Sequence, residues 1–194
     1  MVRILFQKSL TKLSDEELMV RVKEKDDDRA FDELYHRYSR RLMGFFYRQM
    51  NQDENLAADF VQEAFLKTWS SRAAFSRDTF RTWLFCIAYN LCKNHYRHWS
   101  YEQSYLLEVM THYDEAGENT VECQLSQEEF DQALQLELEQ LSPPIRMLFA
   151  LRFEEDLTVP QISSIMGLPE GTVKSRLYSL THTLKNKLQH YGKF

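Results

Sequence analysis

The chain has 194 residues, 43% of them apolar and 27% charged, with a formal net charge of −5. That is enough for one ordinary domain or two small ones, and the balance is that of a globular protein rather than a disordered or fibrous one. Three cysteines without paired metal spacing argue against a zinc module or a disulfide scaffold.

Glycine and proline are scarce and apolar residues recur at three and four, so the whole chain reads as helical, with no alternating strand pattern. The opening MVRILFQKSL is too short an apolar run for a secretory signal, and no later stretch approaches a membrane span. A cytoplasmic protein without membrane insertion is expected. Ser14 followed by Glu17 has the capping-box pattern and starts a first helix carrying Leu18 and Val22. Asp26 to Asp28 interrupt it. A second helix from about Asp28 to Met50 sets Phe31, Leu34, Tyr35, Tyr38, Leu42, Phe45 and Phe46 at core spacing. After the polar NQDEN, where Asn55 or Asn51 is the expected cap, comes a third helix from Leu56 to Trp69.

The third helix has two unlike faces. Leu56, Ala57, Phe60, Val61 and Ala64 make an inner stripe, while Asp59, Gln62, Glu63, Leu66 and Trp69 form an acidic face with large apolar groups set in it. Such a face either packs on a neighbouring helix or binds another protein, with Trp as anchor and the charges setting orientation. A polar loop, SSRAAFSRD, follows, with Arg72, Arg77 and an expectedly exposed Phe75.

The stretch FRTWLFCIAYNLCKNHYRHW, Phe80 to Trp99, is a fourth helix. Trp83, Leu84, Ile87, Ala88 and Leu91 share a core-facing side, and Asn90, Lys93 and Arg97 fall on the opposite one with Tyr89 and Tyr96 along its border. Solvated charges and half-buried tyrosines would be the ordinary reading. The density of rings is high for one stripe, which predicts that some face outward or meet a partner. Cations track phosphates and aromatic rings stack on unpaired bases, so this face suits single-stranded nucleic acid. Cys86 and Cys92 lie on different sides of the helix and read as reduced, mostly buried thiols.

The blocks DRAFDELYHRY (Asp28 to Tyr38), DFVQEAFLKTW (Asp59 to Trp69) and FRTWLFCIAYN (Phe80 to Asn90) together resemble the core-binding and promoter-melting domain of extracytoplasmic-function sigma factors, compact bacterial members of the sigma-70 family. The resemblance implies that Asp59, Gln62, Glu63, Leu66 and Trp69 dock on the clamp of RNA polymerase. It also implies that Phe75, Arg77, Trp83, Asn90, Lys93 and Arg97 engage the minus-ten element, with Asn90 and the loop near Phe75 holding a flipped non-template base. Opening would come from trapping unstacked bases. Asn94 stands where many relatives have Asp, so no acidic role is assigned there.

From Tyr101 to Gln140 there is no Lys or Arg, and eleven carboxylates contribute −11; setting that aside from −5 leaves +6 for the remainder. Most of this block, residues 100–127, reads as a flexible acidic linker, with LLEVM around Leu106 allowing a short helix. In the family such linkers thread polymerase channels, where carboxylates would mimic phosphate.

Beyond it, a helix around Phe130 to Gln140 leads into LSPPIRMLFALRFEE, with Ser142 as expected cap and Pro143 in the first turn. Thr158 caps a short helix with Ile162 and Ile165, Gly167 permits a tight turn, and Pro169 begins the last helix. There Val173, Leu177, Leu180, Leu184 and Leu188 form the buried stripe; Ser175, Ser179, His182 and Asn186 face away, flanked by Lys174, Tyr178 and Lys185. Short polar side chains bordered by cations suit a recognition helix, and the turn makes a helix-turn-helix. GLPEGTVKSRL resembles the minus-thirty-five segment of the same family, which implies Thr172, Lys174, Ser175, Arg176 and Tyr178 as promoter contacts. Ser179 to Thr181 (SLT) replaces the usual Arg-containing stretch, and VPQISSIM replaces an acidic start, so weaker phosphate anchoring or a distinct promoter is expected.

The expected architecture is therefore all-α, with two small helical domains, 1–99 and 128–194, on either side of the linker. The expected function is an alternative sigma factor, with core RNA polymerase and promoter DNA, duplex and melted, as partners, an anti-sigma factor as a further one, and no cofactor or metal. The alternative is a helix-turn-helix regulator with a partner- or ligand-sensing N-terminal bundle, which leaves the aromatic cationic helix and the face at Leu66 and Trp69 unexplained. No phosphate-binding glycine loop, paired metal motif or activated nucleophile points to an enzyme.

Overall fold

The computed structural model describes residues 10–76, 79–96 and 127–189. Arg77, Arg97, Cys123 and the expected linker lie outside these, apart from its last residue, Gln127. All regular structure among the described residues is helical, and the chain divides into two compact units between Asn94 and His95. No helix among them is long and apolar enough to cross a membrane.

In the first unit, α1 (Asp15–Lys25) opens with the expected reciprocal cap: Glu17 N–H donates to Ser14 Oγ at 3.1 Å and Ser14 N–H to Glu17 Oε2 at 2.8 Å. Asp26 ends it in the left-handed region, φ 47°, and Asp27 caps α2 (Asp28–Gln49). The α3 helix (Glu54–Ser70) is capped by Asp53, whose Oδ1 accepts from Leu56 N–H at 3.0 Å, and not by Asn51 or Asn55. Asn51 and Gln52 instead carry the turn at φ 52° and 64°. A side chain caps only from the residue whose own backbone is extended just before the helix, and Asp53 is that residue.

The α4 helix (Phe80–His95) corrects the expectation that its rings spill outward. Phe80 and Phe85 are fully buried, and Tyr89 and Tyr96 are each 8% exposed. Phe80 and Phe85 are absorbed because α2 offers rings at matching heights: Tyr38 meets Phe80 edge-on at 5.3 Å between centroids, and Phe45 meets Phe85 at 5.6 Å. Edge-to-face pairs of this kind add about 0.5–1.5 kcal/mol each to ordinary burial. Tyr35, expected in the core, is 43% exposed.

A second anchor lies at the start of the unit. Arg37 on α2 donates to Asp15 at 2.7 Å, to Glu33 at 2.8 Å and to the carbonyls of Leu13, Thr11 and Leu10, tying the 3-10 turn Leu10–Lys12 to the bundle.

The second unit holds α5 (Gln127–Gln140), α6 (Pro143–Phe149), α7 (Val159–Met166) and α8 (Glu170–Leu188). Leu138, Leu180, Leu184 and Leu188 form one core cluster, with Phe130, Leu134, Ile145 and Phe149 packed against it. Leu177 is only half-buried. Pro143 and Pro144 occupy the first turn of α6 as expected, but Ser142 makes no side-chain cap; its Oγ is buried without a hydrogen-bond partner. With prolines at the first two positions fewer N–H groups remain to be capped.

Candidate nucleic-acid and polymerase interfaces

On α3, Ala57, Val61, Ala64, Phe65 and Thr68 are buried, so the helix turns Asp59, Gln62, Glu63 and Leu66 to solvent. Leu66 is 69% exposed, an unpacked leucine between carboxylates and a Glu63–Lys67 ion pair at 3.1 Å. Trp69 behaves differently. It is half-buried, edge-on to Phe31 at 5.0 Å, with the Arg72 guanidinium 4.7 Å from the indole centroid. Part of its surface is committed to the bundle. Tyr35, whose ring leans on Phe65 at 4.6 Å, adds an exposed aromatic beside this face. Its position one residue past the buried Leu34, and so 100° round the helix, was the available signal.

On α4, Asn90 and Lys93 are exposed together, as the wheel predicts, and Asn94 and His95 at its end are exposed as well. Asn90 Nδ2 lies 3.6 Å from Cys86 Sγ, one turn back. Burial pushes the Cys86 thiol up from its ordinary range and the Asn90 contact opposes that; burial pushes the deeper Cys92 much further. Both stay as thiols near neutral pH, and neither is an activated nucleophile. Phe75 is not exposed: it is 3% accessible, with its ring edge-on to Trp83 at 5.3 Å and against Phe80 at 6.3 Å. A ring with two aromatic neighbours gains more by packing than by facing water. Trp83 is half-buried above it.

On the other unit, α7 ends at Gly167, φ 67°, and Leu168 N–H donates to Ser163 O at 3.2 Å while Ser163 Oγ donates to Leu168 O at 2.5 Å. Gln161 reaches back to accept from Thr158 N–H at 2.9 Å, closing the other end. Helix α8 then presents Lys174, Ser175 and Tyr178 outward, Tyr178 at 72% exposure and stacked on His182. Thr172 and Arg176 are half-buried at its base, and Lys174 sits 3.8 Å from Glu170. Among the described residues no group of three His, Cys, Asp or Glu side chains could hold a metal.

Residues 34–100 match the family model of Sigma-70 region 2 and residues 131–179 that of Sigma-70 region 4. The RNA polymerase sigma-H factor of Pseudomonas aeruginosa is 30% identical over 188 residues, covering 93% of this chain and 96% of its own length. The extracytoplasmic-function sigma-E factor of Escherichia coli is 32% identical over 187 residues, 91% of this chain and 95% of its own. The chain belongs to the sigma-70 family. It is an alternative RNA polymerase sigma factor of the extracytoplasmic-function type, a transcription-initiation protein and not an enzyme. Its helix-turn-helix is the DNA-binding element of region 4.

Two solved structures share the fold: CnrH in complex with the cytosolic domain of CnrY, at TM-score 0.64 and 22% identity over 90% of this chain and 97% of that one, and the sigma factor RpoE of Bartonella quintana in complex with the anti-sigma factor NepR, at 0.57 and 21% over 83% and 98%.

Proposed function

We propose that the two faces left open on the first unit divide the work of initiation. The acidic, apolar face of α3 (Asp59, Gln62, Glu63, Leu66 and part of Trp69, with Tyr35 beside it) docks on core RNA polymerase. The face of α4 engages the melted minus-ten strand, Asn90 by hydrogen bonding to an unstacked base and Lys93 by pairing with phosphate, with Trp83 at their border. Phe75 acts as the backing of Trp83. Arg77 and Arg97 belong to the same reading and lie outside the described residues.

In the second unit Thr172, Lys174, Ser175, Arg176 and Tyr178 contact the minus-thirty-five element, with α8 in a major groove. Residues 1–99 then form the core-binding and melting domain, 100–127 the acidic linker and 128–194 the promoter-recognition domain. The protein acts in the cytoplasm, and an anti-sigma partner, such as NepR is for RpoE, holds it when its genes are silent.

The observation that supports this division is the exposure of Leu66 amid carboxylates on one helix and of Asn90 with Lys93 on another, two chemically unlike surfaces on one lobe. Replacing Asn90 by Ala tests it. Promoter opening, followed by 2-aminopurine fluorescence in the minus-ten element, should fall while affinity for core polymerase is unchanged. Opening at the wild-type rate on a duplex promoter would refute the base-capture role.

A further inference from the structure

Arg72, Phe75 and Phe80, around the passage from α3 to α4, are held from outside by one helix. Asp26, at the C-cap of α1, accepts from Arg72 at 2.8 Å (Nε) and 2.7 Å (Nη2). Lys23, in the last turn of α1, donates to the carbonyl of Phe75 at 2.7 Å. Glu16, in its first turn, accepts from the backbone N–H of Phe80 at 3.1 Å across 64 residues of sequence. Glu16 and Lys23 are seven apart and share a face.

Each contact does something the local sequence cannot do for itself. Phe80 begins α4, and the first N–H groups of a helix have no partner within it, so a carboxylate from another element serves as its cap and favours the positive end of the helix dipole. The Phe75 carbonyl lies in a loop between a 3-10 turn and a helix, where no ladder bond reaches it; an ammonium donor fixes that peptide plane. Arg72 is gripped by Asp26 and in turn covers Trp69, and it also donates to Trp69 O at 2.9 Å.

An exposed ion pair such as Arg72–Asp26 is ordinarily worth little to stability. Its consequence here is positional. The core of α1 is made by Leu18, Met19 and Val22, which are fully buried, so the polar edge is separable from the packing that holds the helix.

We propose that the polar edge of α1 is a splint for the α3–α4 connection and the first turn of α4, which makes Glu16, Lys23 and Asp26 positioning residues for minus-ten capture. The inference rests on the reading of α4 as the minus-ten surface. The splint sets Phe75 and Phe80, and through them Trp83, before DNA arrives, so capture does not have to order the loop first.

The test is the double variant Lys23→Met, Asp26→Asn in the full chain; Asn tolerates the left-handed φ of Asp26, and both side chains are exposed. Amide hydrogen exchange at Arg72 to Ser76 should quicken about tenfold, as expected from losing a charge-assisted bond, while α1 and α2 keep wild-type exchange. With core polymerase, on a promoter recovered by transcribing fragmented genomic DNA with the wild-type holoenzyme, open-complex formation should slow about tenfold at unchanged core affinity. Lys23→Arg in place of Lys23→Met, with Asp26→Asn kept, should restore part of both. If the double variant does not fold, Asp26→Asn alone is read in the same way.

Unchanged exchange in the loop overturns the splint. Quickened exchange with wild-type opening overturns its role in capture. The Asn90→Ala variant separates the two ideas: wild-type opening there removes the minus-ten reading, while the exchange result still judges the splint.

Discussion

Leu66→Ala removes an apolar group that the free protein leaves 69% exposed. Full burial of a leucine is worth about 1.5–3 kcal/mol, of which roughly two-thirds is still available to a partner at this position. Truncation to Ala forfeits most of that, about 1–1.5 kcal/mol, which is roughly a five- to tenfold rise in Kd for core polymerase. Stability should not change by more than about 0.5 kcal/mol, because the side chain contributes little packing within the bundle. Trp69→Ala gives the informative contrast. It removes the edge-on contact with Phe31 and the Arg72 stack as well, so the fold should lose about 2 kcal/mol or more in addition to any loss of binding. The assay is fluorescence anisotropy of labelled protein titrated with core polymerase, paired with urea melts of each variant. Wild-type affinity for Leu66→Ala, with its fold intact, would refute the docking face.

Gly167→Ala places a Cβ in the left-handed turn of the helix-turn-helix with no steric neighbour within 4 Å, so the cost is backbone strain alone, about 1–2 kcal/mol, seen as a lowered melting point of the second unit; Gly167→Asn should cost less. Burial, and then the hydrogen bond to Asp15, push the Tyr38 hydroxyl pKa well above its ordinary value. The folded state therefore holds that proton more tightly than the unfolded one. Its stabilisation is complete below about pH 10 and is lost as the pH climbs beyond, so wild type should lose more stability between about pH 9 and pH 11 than Tyr38→Phe does. Parallel urea melts across that range check it, and equal slopes would contradict it. Tyr178→Ala, at a 72% exposed position on α8, should weaken duplex promoter binding at least severalfold in an anisotropy titration while leaving the unit's melting point unchanged.

Which parts of this molecule could be read from the sequence follows from the range of the interactions involved. The Ser14–Glu17 cap, the helix boundaries near Asp28 and Gln49, and the turn at Gly167 are set within four residues of chain, and each appears where local chemistry puts it. The exposed sides of α3 and α4 follow from a period of 3.6.

The fate of the rings did not follow from that period. Whether Phe85 or Tyr89 meets solvent depends on Phe45 and the rest of α2, which no helical wheel of α4 contains. Phe75 is buried for the same reason. Tyr35 errs in the opposite direction, since a broad apolar stripe on α2 exceeds what its neighbours cover. Capping by Asp53 rather than Asn51 or Asn55 depends on which residue turns extended, a one-residue question that composition leaves open. The contacts of Glu16, Lys23 and Asp26 join positions 46 to 64 residues apart and are visible only in the fold.

The most direct measurement is transcription in vitro of fragmented genomic DNA by purified core polymerase, with and without the chain, with transcript ends mapped by sequencing. Discrete starts that require the chain, each preceded by two conserved blocks at one fixed spacing, are the predicted result, and they should weaken with Leu66→Ala and with Asn90→Ala for different reasons. Starts that persist without the chain, or that do not respond to either variant, would contradict the division of labour assigned to its two faces.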